Sequence, residues 1–319
     1  MILGELMLKI PLEELQQCWF LAGPTASGKS TVAMLLARYL HAEIVALDSM
    51  TLYRKMNIGT AKPSPAEQET VPHHLFDIVD PHEEFSVAEY MEAAIRSVND
   101  ILDRGRTPLF VGGTGLYLRS LLRGVFAGPD ADWDFRRKMD VVVEEEGPIK
   151  LHEMLQNVDA EAAGRIHPND VRRVIRALEV NHVTGQTLSA QHDERPLEES
   201  VRPKHIYWLS PSRPWLHDRI NRRVEQMMVE GLVEEVQGLM ELEPALGRTA
   251  RQALGYKEII DALEEGRPLE EAVEQIKIRT RQFAKRQHTW YRNIVECQEV
   301  TFTEDESAKE IADRLIARS

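Results

Sequence analysis

Residues 19–30 read WFLAGPTASGKS, and the fold of much of the chain can be worked out from this stretch. Its first four residues are apolar, and the next eight follow the pattern Gly-x-x-x-x-Gly-Lys-Ser. Beyond the loop, apolar residues recur at positions 32, 35, 36 and 39, which is the spacing of one face of an α-helix. A buried strand, a glycine loop and an amphipathic helix in this order predict a phosphate-binding P-loop.

The loop predicts a site for a diphosphate or triphosphate. Its glycines let backbone N–H groups curl around a phosphate, and the N-terminus of the following helix adds a partial positive charge. Lys29 would reach the outer phosphate, and the hydroxyl of Ser30 would bind Mg²⁺, which is the predicted cofactor. The predicted phosphate-binding residues are consecutive: Gly23, Pro24, Thr25, Ala26, Ser27, Gly28, Lys29 and Ser30.

Two further predicted strands end in segments that we expect to lie near the P-loop. Residues 43–47 form a largely apolar run that ends at Asp48, and residues 108–111 form another that ends at a Gly-Gly-Thr-Gly loop, residues 112–115. In an open parallel sheet, ligands bind beyond the carboxyl ends of the strands. We therefore expect Asp48 to lie beside the P-loop, unless its carboxylate only caps the next turn.

The order of the elements predicts the domain organisation. An amphipathic helix between the second and third strands completes a β-α-β-α-β alternation, which favours an α/β fold with a doubly wound sheet. Between residues 127 and 200 the strand signals fade and charged helical segments take over, and residues 206–209 then resemble another core strand. We predict a P-loop NTPase-like parallel sheet core made of residues 1–126 and 201–319. A helical insertion domain, residues 127–200, interrupts this core, and the C-terminal region is predicted to be helical.

Composition limits the class of protein. The chain has 319 residues, of which 43% are hydrophobic and 29% charged, so it contains enough apolar material for a packed core. No apolar run approaches the roughly 18 residues that a membrane-spanning helix needs. The two cysteines, Cys18 and Cys297, lie far apart and do not form a disulfide framework. We expect a protein of the reducing cytoplasm, without a signal peptide.

Charge is distributed unevenly along the chain. With 52 acidic and 39 basic residues the net charge is −13, which argues weakly against a protein that binds nucleic acid. However, six basic residues and no acidic one lie between Lys277 and Arg292, and a second basic patch contains Arg172, Arg173 and Arg176. These patches are either solvated helix faces or contacts for a long polyanion.

Three functions fit these features when no family is considered. A P-loop with a nearby carboxylate and a helical insertion is typical of a small-molecule kinase, in which Arg223 would be a lid arginine. The basic patches favour a transferase that acts on nucleic acid. The third function is that of an RNA-binding protein that uses the P-loop only to sense a nucleotide.

An ordered series of short motifs accompanies the P-loop. They are Asp48-Ser49 with Tyr53, residues 59–63 (GTAKP), 72–75 (PHHL), 112–117 (GGTGLY), 169–179 (NDVRRVIRALE), 255–258 (GYKE) and 285–290 (KRQHTW). In this order the chain resembles the tRNA dimethylallyltransferase family, also called the tRNA isopentenyltransferases, of the bacterial type. The resemblance extends from about residue 19 to residue 292.

The resemblance implies that the P-loop binds dimethylallyl diphosphate and not ATP. Members of the family transfer the five-carbon group to N6 of the adenosine just 3′ of the tRNA anticodon, position 37, and release diphosphate. The implied catalytic residues are Asp48 as general base, Thr25 as a hydrogen-bonding partner of the bridging oxygen, and Arg223 as a ligand of the diphosphate. A positioned carboxylate suits this reaction because the lone pair of an adenine amine is delocalised into the ring. Asp77 and Asp80 are rival carboxylates, of which Asp77 is expected to hold a loop.

The resemblance also implies a tRNA-binding surface. The insertion and the basic C-terminal surface would clamp the anticodon arm while the target base leaves its stack. The stems of Lys285 and Arg286 could equally pack against the core. We expect a monomer whose partners are tRNA and dimethylallyl diphosphate, with no membrane partner. The implied tRNA-binding residues are Asp48, Ser49, Met50, Thr51, Thr114, Arg136, Arg172, Arg173, Val174, Ile175, Arg176, Gln252, Ala253, Leu254, Gly255, Tyr256, Lys257, Lys285 and Arg286.

Overall fold

The chain folds into two compact units. The computed structural model describes residues 7–126, 128–191 and 195–318. The core unit consists of Lys9–Leu122 and the described part of Pro196–Ser319. The insertion unit consists of the described parts of Met1–Leu8 and Arg123–Arg195.

Strands and helices alternate through the first part of the core unit. The described strands are β1 (Met7–Leu8), β2 (Trp19–Ala22), β3 (Ala42–Leu47), β4 (His73–His74), β5 (Thr107–Gly112), β6 (Val125–Phe126), β7 (Ile206–Pro211) and β8 (Gln298–Phe302). The described α-helices are α1 (Leu12–Leu15), α2 (Lys29–Leu40), α3 (Pro65–Thr70), α4 (Val87–Asp103), α5 (Gly115–Arg123), α6 (Trp133–Val158), α7 (Ala160–Arg165), α8 (Val171–Thr184), α9 (Leu188–Gln191), α10 (Arg213–Val229), α11 (Leu232–Met240), α12 (Arg248–Arg251), α13 (Tyr256–Glu265), α14 (Leu269–Arg292) and α15 (Ala308–Ile316).

Six strands form a parallel sheet in the order β4-β3-β5-β2-β7-β8. This confirms the predicted parallel α/β core. At the carboxyl edge, Gly112 of β5 lies opposite both Ala22 of β2 and Leu47 of β3. The segments that follow these three strands therefore begin side by side at one edge of the sheet.

Helices cover the sheet. On one face, Val32 and Leu36 of α2 pack with Ile311 of α15 in a cluster that includes residues of five strands. α4 packs against β3 and β5, and the hydroxyl of Tyr90 donates a hydrogen bond to the Ala46 carbonyl at 2.9 Å. Strands covered in this way are apolar along most of their length, which is why β2 and β3 were recognisable in the sequence. None of the helices in the described ranges is both long enough and apolar enough to cross a membrane.

The sequence predicted a helical C-terminal region, but the structure shows that this region also contains a strand. β8 adds a parallel edge strand beside β7, and Tyr207 lies opposite Gln298 at the start of the pairing. Val300 is the only buried residue of β8. An edge strand with one buried side chain leaves no apolar run in the sequence, so hydrophobic periodicity did not reveal it.

The insertion unit is mainly helical, as expected. Its core contains side chains of α6, α7 and α8, among them Leu155, Ala163 and Val174. α6 is interrupted at Gly147, which has a φ of 85° and precedes Pro148. β1 and β6 pair with each other in an antiparallel ladder within this unit.

Candidate phosphate site

The P-loop connects β2 to α2 through a backbone that curls tightly. Gly28 has a φ of 91° and forms the N-cap of α2, and Ala26 has a φ of 62°. A Cβ at Gly23 would lie 3.1 Å from the carbonyl oxygen of Leu209, so a larger residue would crowd β7. No side chain of the described residues caps the start of α2. Its first N–H groups are therefore available to an anion.

A buried hydroxyl in the loop also suits an anion. The Oγ atom of Ser27 is buried and has no hydrogen-bond partner among the described residues. A buried hydroxyl without a partner is costly, and a phosphate oxygen would supply the missing acceptor. The loop thus fits a phosphate-containing ligand.

Two cationic side chains approach the loop. The ammonium group of Lys29 donates a hydrogen bond to the Pro24 carbonyl at 2.8 Å. Burial, together with the nearby charge of Arg223, lowers the pKa of Lys29 to about 7, although Asp48 opposes this shift. Burial also lowers the pKa of Arg223, against the attraction of Asp48. The structure therefore brings together the three charged residues predicted for the site.

Asp48 follows β3 at the same edge. Its Oδ1 atom accepts a hydrogen bond from the Met50 N–H at 2.8 Å, so the carboxylate does organise the next turn. Burial raises the pKa of Asp48, and the Met50 N–H and the charge of Lys29 only partly offset this effect. A carboxylate with a raised pKa is a stronger proton acceptor. The structural and chemical roles considered for Asp48 are therefore compatible.

Hydrogen bonds connect the P-loop to the neighbouring loops. The Thr25 N–H donates to Oε1 of Gln287 at 2.9 Å, and Nε2 of Gln287 donates to the Gly113 carbonyl at 2.8 Å. The Ser49 N–H donates to Oγ1 of Thr114 at 3.1 Å. Sequence reasoning assigned no role to Gln287, although it is a polar residue on the buried face of α14.

The glycines of the Gly-Gly-Thr-Gly loop have a steric explanation. A Cβ at Gly112 would lie 2.1 Å from the Leu47 carbonyl oxygen, and one at Gly113 would lie 2.3 Å from Nε2 of Gln287. Either contact is far shorter than real Cβ atoms allow. Close approach of the β3 backbone therefore requires glycine at position 112, and a side chain at position 113 would displace the amide of Gln287.

Arg219, another arginine of α10, contacts the P-loop. Nε of Arg219 donates to the Ala26 carbonyl at 2.9 Å, and its guanidinium lies 4.6 Å from the centroid of the Trp215 ring. Arg219 precedes Arg223 by one helical turn. Sequence reasoning identified Arg223 and missed Arg219, for which the four-residue spacing on one helix was the available signal.

Residues 252–257 contribute mainly to support of the core unit. The hydroxyl of Tyr256 donates to Oε1 of Glu235 at 2.6 Å, and Glu235 also accepts the N–H groups of residues 57–59. The Ala253 and Tyr256 side chains are buried, so these two predicted tRNA-binding residues offer no side-chain surface. Lys257 pairs with Asp261 at 2.8 Å, whereas Gln252 is exposed.

The basic patch of the insertion unit divides into two groups. Arg172 and Arg173 are exposed, whereas Arg176 donates to Glu179 at 2.5 Å and Arg136 to the same carboxylate at 2.7 Å. The remaining predicted residues of this segment, Val174 and Ile175, are buried in the core of the unit. Their side chains therefore cannot form part of a binding surface, because the apolar stripe of α8 faces inward.

Glu179 explains why two of these arginines are held in place. Burial alone would raise the pKa of Glu179, but hydrogen bonds from Arg136, Arg176 and the Asp132 N–H together keep it below its usual value. The two arginines thus have a structural partner within the unit.

Two other predicted basic residues are exposed, whereas Asp77 is engaged in an ion pair. Lys285 and Arg286 are exposed on α14, and the guanidinium of Arg286 lies 5.7 Å from the centroid of the Phe283 ring. Asp77 pairs with the buried ammonium group of Lys62 at 2.6 Å, which confirms its role in holding a loop.

The residues of the site fit Mg²⁺ that is held mainly by substrate phosphates and water. No cluster of three or more His, Cys, Asp or Glu side chains able to hold a metal occurs among the described residues. Ser30 is exposed in the first turn of α2. Mg²⁺ commonly binds through substrate phosphates and water with few protein ligands. The hydroxyl of Ser30 is suited to that mode.

A parallel sheet, a P-loop and a half-buried carboxylate at the end of β3 together define an α/β protein of the P-loop class. The family model described as IPP transferase matches residues 51–294. The chain therefore belongs to the IPP transferase family.

Relatives and solved structures agree with this assignment. The tRNA dimethylallyltransferase of Rhodopirellula baltica is 44% identical over 91% of this chain and 90% of its own length. That of Bacillus licheniformis is 47% identical over 86% of this chain and 87% of its own. The crystal structure of the Bacillus halodurans tRNA isopentenylpyrophosphate transferase is similar over 95% of this chain and 96% of its own, with 38% identity and a TM-score of 0.68. A eukaryotic dimethylallyltransferase acting on tRNA matches 94% of this chain and 77% of its own, with 28% identity and a TM-score of 0.76.

Proposed function

We propose that this protein transfers the dimethylallyl group of dimethylallyl diphosphate to N6 of the adenosine just 3′ of the tRNA anticodon. The observation that carries the proposal is the convergence of Lys29, Arg223 and Asp48 at one edge of the sheet. Two cations beside a P-loop suit a diphosphate, and a carboxylate of raised pKa beside them suits removal of a proton from an amine. The family to which the chain belongs supports the same reaction.

The reaction exchanges one bond for another. The N6 lone pair forms a bond to C1 of the dimethylallyl group while the bond from C1 to the diphosphate oxygen breaks. The electron pair of the broken bond leaves with the diphosphate, whose growing charge Lys29, Arg223 and the P-loop N–H groups stabilise. Asp48 accepts the proton that N6 loses. Since the target base must reach Asp48, it has to leave the stack of the anticodon arm.

Two of the supporting roles at the diphosphate also remain proposals. Thr25 lies within the loop, and its side-chain hydroxyl is proposed to hydrogen-bond the bridging oxygen, while its N–H is already bonded to Gln287. Bound Mg²⁺ would add positive charge beside the diphosphate, with Ser30 as its protein ligand.

We further propose that tRNA contacts the exposed basic residues of both units. Arg172 and Arg173 of α8, and Lys285 and Arg286 of α14, meet this requirement because their side chains are exposed. Phosphate contacts of this kind fix the position of a nucleic acid without reading its sequence. A monomer in the cytoplasm remains our prediction.

The test is a transfer assay with labelled dimethylallyl diphosphate, Mg²⁺ and unmodified tRNA. We expect label in the tRNA, and we expect it to disappear when the adenosine beside the anticodon is replaced. A parallel assay of ATP hydrolysis, with and without a small-molecule acceptor, covers the kinase alternative. ATP hydrolysis without labelled tRNA would reject the proposal.

A further inference from the structure

Gln287 occupies a position between the two loops of the proposed donor site. Its side chain belongs to α14 and is only 4% exposed. Oε1 accepts the Thr25 N–H at 2.9 Å, and Nε2 donates to the Gly113 carbonyl at 2.8 Å. The two partners lie 262 and 174 residues away along the chain. One amide group therefore connects two loops beyond the point at which the paired strands β2 and β5 end.

The connection continues to Asp48. The residue after Gly113 is Thr114, whose Oγ1 accepts the N–H of Ser49 at 3.1 Å. The Thr114 N–H in turn donates to the Leu47 carbonyl at 3.0 Å. These bonds hold the backbone on both sides of Asp48. Gln287 is thus linked at one end to the P-loop and at the other end to the Gly113–Thr114 loop, which in turn bonds the segment that carries Asp48.

The fit around Gln287 is tight. A Cβ at Gly113 would lie 2.3 Å from Nε2 of Gln287. One turn before Gln287, Ala284 packs with Ala26 of the P-loop in a buried cluster. One turn after it, the side chain of Trp290 lies 3.0 Å from the position of a Cβ at Gly115. Along α14, Ala284 therefore packs with the P-loop, Gln287 bonds both loops and Trp290 lies against the Gly-Gly-Thr-Gly loop.

We propose that Gln287 is a positioning residue that holds the P-loop and the Gly113–Thr114 loop at a fixed separation, and so aligns the diphosphate donor with Asp48. The proposal deepens the proposed function and rests on it. Alignment matters because a displacement of about 1 Å at a reacting centre can cost roughly a hundredfold in rate. The adjacent Lys285 and Arg286 are exposed on the same helix, so the link lies beside two proposed tRNA contacts.

The first test replaces Gln287 by a side chain of similar length that cannot hydrogen-bond, Gln287→Met. Its control is Gln275→Met, which makes the same change at an exposed position on α14. Titration calorimetry with Mg²⁺-diphosphate, in the absence of tRNA, gives the stoichiometry and Kd of the folded sites. Steady-state assays with tRNA then give kcat per active site.

We expect Gln287→Met to lower kcat per active site by about tenfold to a hundredfold and to weaken diphosphate binding by a smaller factor. A residue that only stabilises the fold would lower the stoichiometry and leave kcat per active site unchanged. A kcat per active site within about twofold of the control would overturn the proposal. If the unaltered protein transfers no dimethylallyl group, the proposed function fails. The inference is then decided by diphosphate Kd, which must differ from that of the control.

A second variant covers the case in which Gln287→Met does not fold. Gln287→Glu keeps an acceptor for the Thr25 N–H, but its other oxygen faces the Gly113 carbonyl. When the introduced carboxyl group is protonated it can donate to that carbonyl, which restores both bonds. We therefore expect the deficit in kcat, relative to the unaltered protein at each pH, to shrink as the pH falls. A deficit that is absent or independent of pH would contradict the positioning role.

Discussion

Asp48 in the core unit and Glu179 in the insertion unit are partly or fully buried carboxylates, and each is affected by two cationic side chains. The pKa of Asp48 is raised, because burial outweighs the Met50 N–H and the charges of Lys29 and Arg223. Burial acts on Glu179 in the same direction, but its pKa is lowered. Arg136 and Arg176 reach its oxygens at 2.5–2.8 Å.

The two carboxylates differ in whether the cationic side chains hydrogen-bond to them directly. A charge-assisted hydrogen bond stabilises an ionised carboxylate strongly, whereas a cation that does not touch it contributes only a weaker Coulomb attraction. Lys29 and Arg223 form no ion pair within salt-bridge distance among the described residues, and their own pKa values are lowered. In the proposed function, the two cations of the core unit bind an external anion and its carboxylate accepts a proton. The insertion unit uses the same residue types to hold its helices together.

The largest expected effect comes from removing the carboxylate of the core unit. We expect Asp48→Asn to lower kcat for tRNA modification by about 10²–10⁴-fold, because the amide cannot accept the proton of N6. Steady-state kinetics, with separate measurements of tRNA binding, would check this. Asp80→Asn is the matched control, since the side chain of Asp80 is 47% exposed and pairs with Arg54 at 3.0 Å. A normal kcat in Asp48→Asn would remove Asp48 from the role of base.

The corresponding change in the insertion unit should affect stability. Glu179→Ala leaves Arg136 and Arg176 without their shared partner, and their side chains are 29% and 35% exposed. We expect the insertion unit to lose about 3 kcal/mol, the lower end of the range for a broken buried pair, because both arginines can still reach water. Hydrogen exchange at the buried amides of α8 would report this loss.

The control and the pH dependence of this effect follow from the same structure. Glu153→Ala removes an exposed carboxylate that lies 3.8 Å from Lys150, and it should change stability by less than about 0.5 kcal/mol. Because the folded pKa of Glu179 is lowered, its contribution is fully present above the usual Glu pKa of about 4.3. The contribution is lost as the pH falls through the lowered value. Equal protection in Glu179→Ala and the unaltered protein at neutral pH would contradict the anchoring role.

Removing one cation of the core unit should weaken anion binding. We expect Arg223→Met to raise the Kd for Mg²⁺-diphosphate by about tenfold to a hundredfold, the usual value of a hydrogen bond to a charged group. Calorimetric titration would measure it. Arg222→Met is the control, because the neighbouring Arg222 is exposed and pairs with Asp218 at 2.8 Å. Equal affinities in the two variants would show that Arg223 does not face the diphosphate.

The smallest expected effect is a change in bound protons. Since the pKa of Lys29 is about 7 without an anion, much of its amine is neutral at pH 8. A diphosphate favours the charged form, so binding should take up as much as about one proton at this pH. Affinity should correspondingly fall as the pH rises above about 7. Calorimetric titrations of the unaltered protein and of Lys29→Met, in buffers with different ionisation heats, measure the protons that are taken up on binding. The difference between the two proteins separates the proton bound by Lys29 from those gained or lost by the diphosphate. The same uptake in both proteins would assign it elsewhere.

Some side chains in the predicted motifs have partners within the protein that the sequence did not indicate. Within 172–176, the sequence pattern does not distinguish the exposed Arg172 from Arg176, whose charge is already paired with Glu179. Tyr256 lies in the predicted tRNA-binding segment, but its hydroxyl binds Glu235. Such assignments depend on which partner the fold supplies, and a motif gives only the residue type.

Short-range spacing was sufficient to locate the P-loop, Asp48 after its strand and the Gly-Gly-Thr-Gly loop. These features are local, because a glycine turn and a helix start are specified by residues within a few positions of one another. The tertiary structure alone revealed the edge strand β8, the two contacts of Gln287, the contact of Arg219 with Ala26 and the pairing of Arg136 with Glu179. Except for β8, each depends on one polar side chain meeting a partner between 43 and 262 residues away. Periodicity and local motifs describe which face of an element is buried, but the packing of elements decides which polar groups meet on that face.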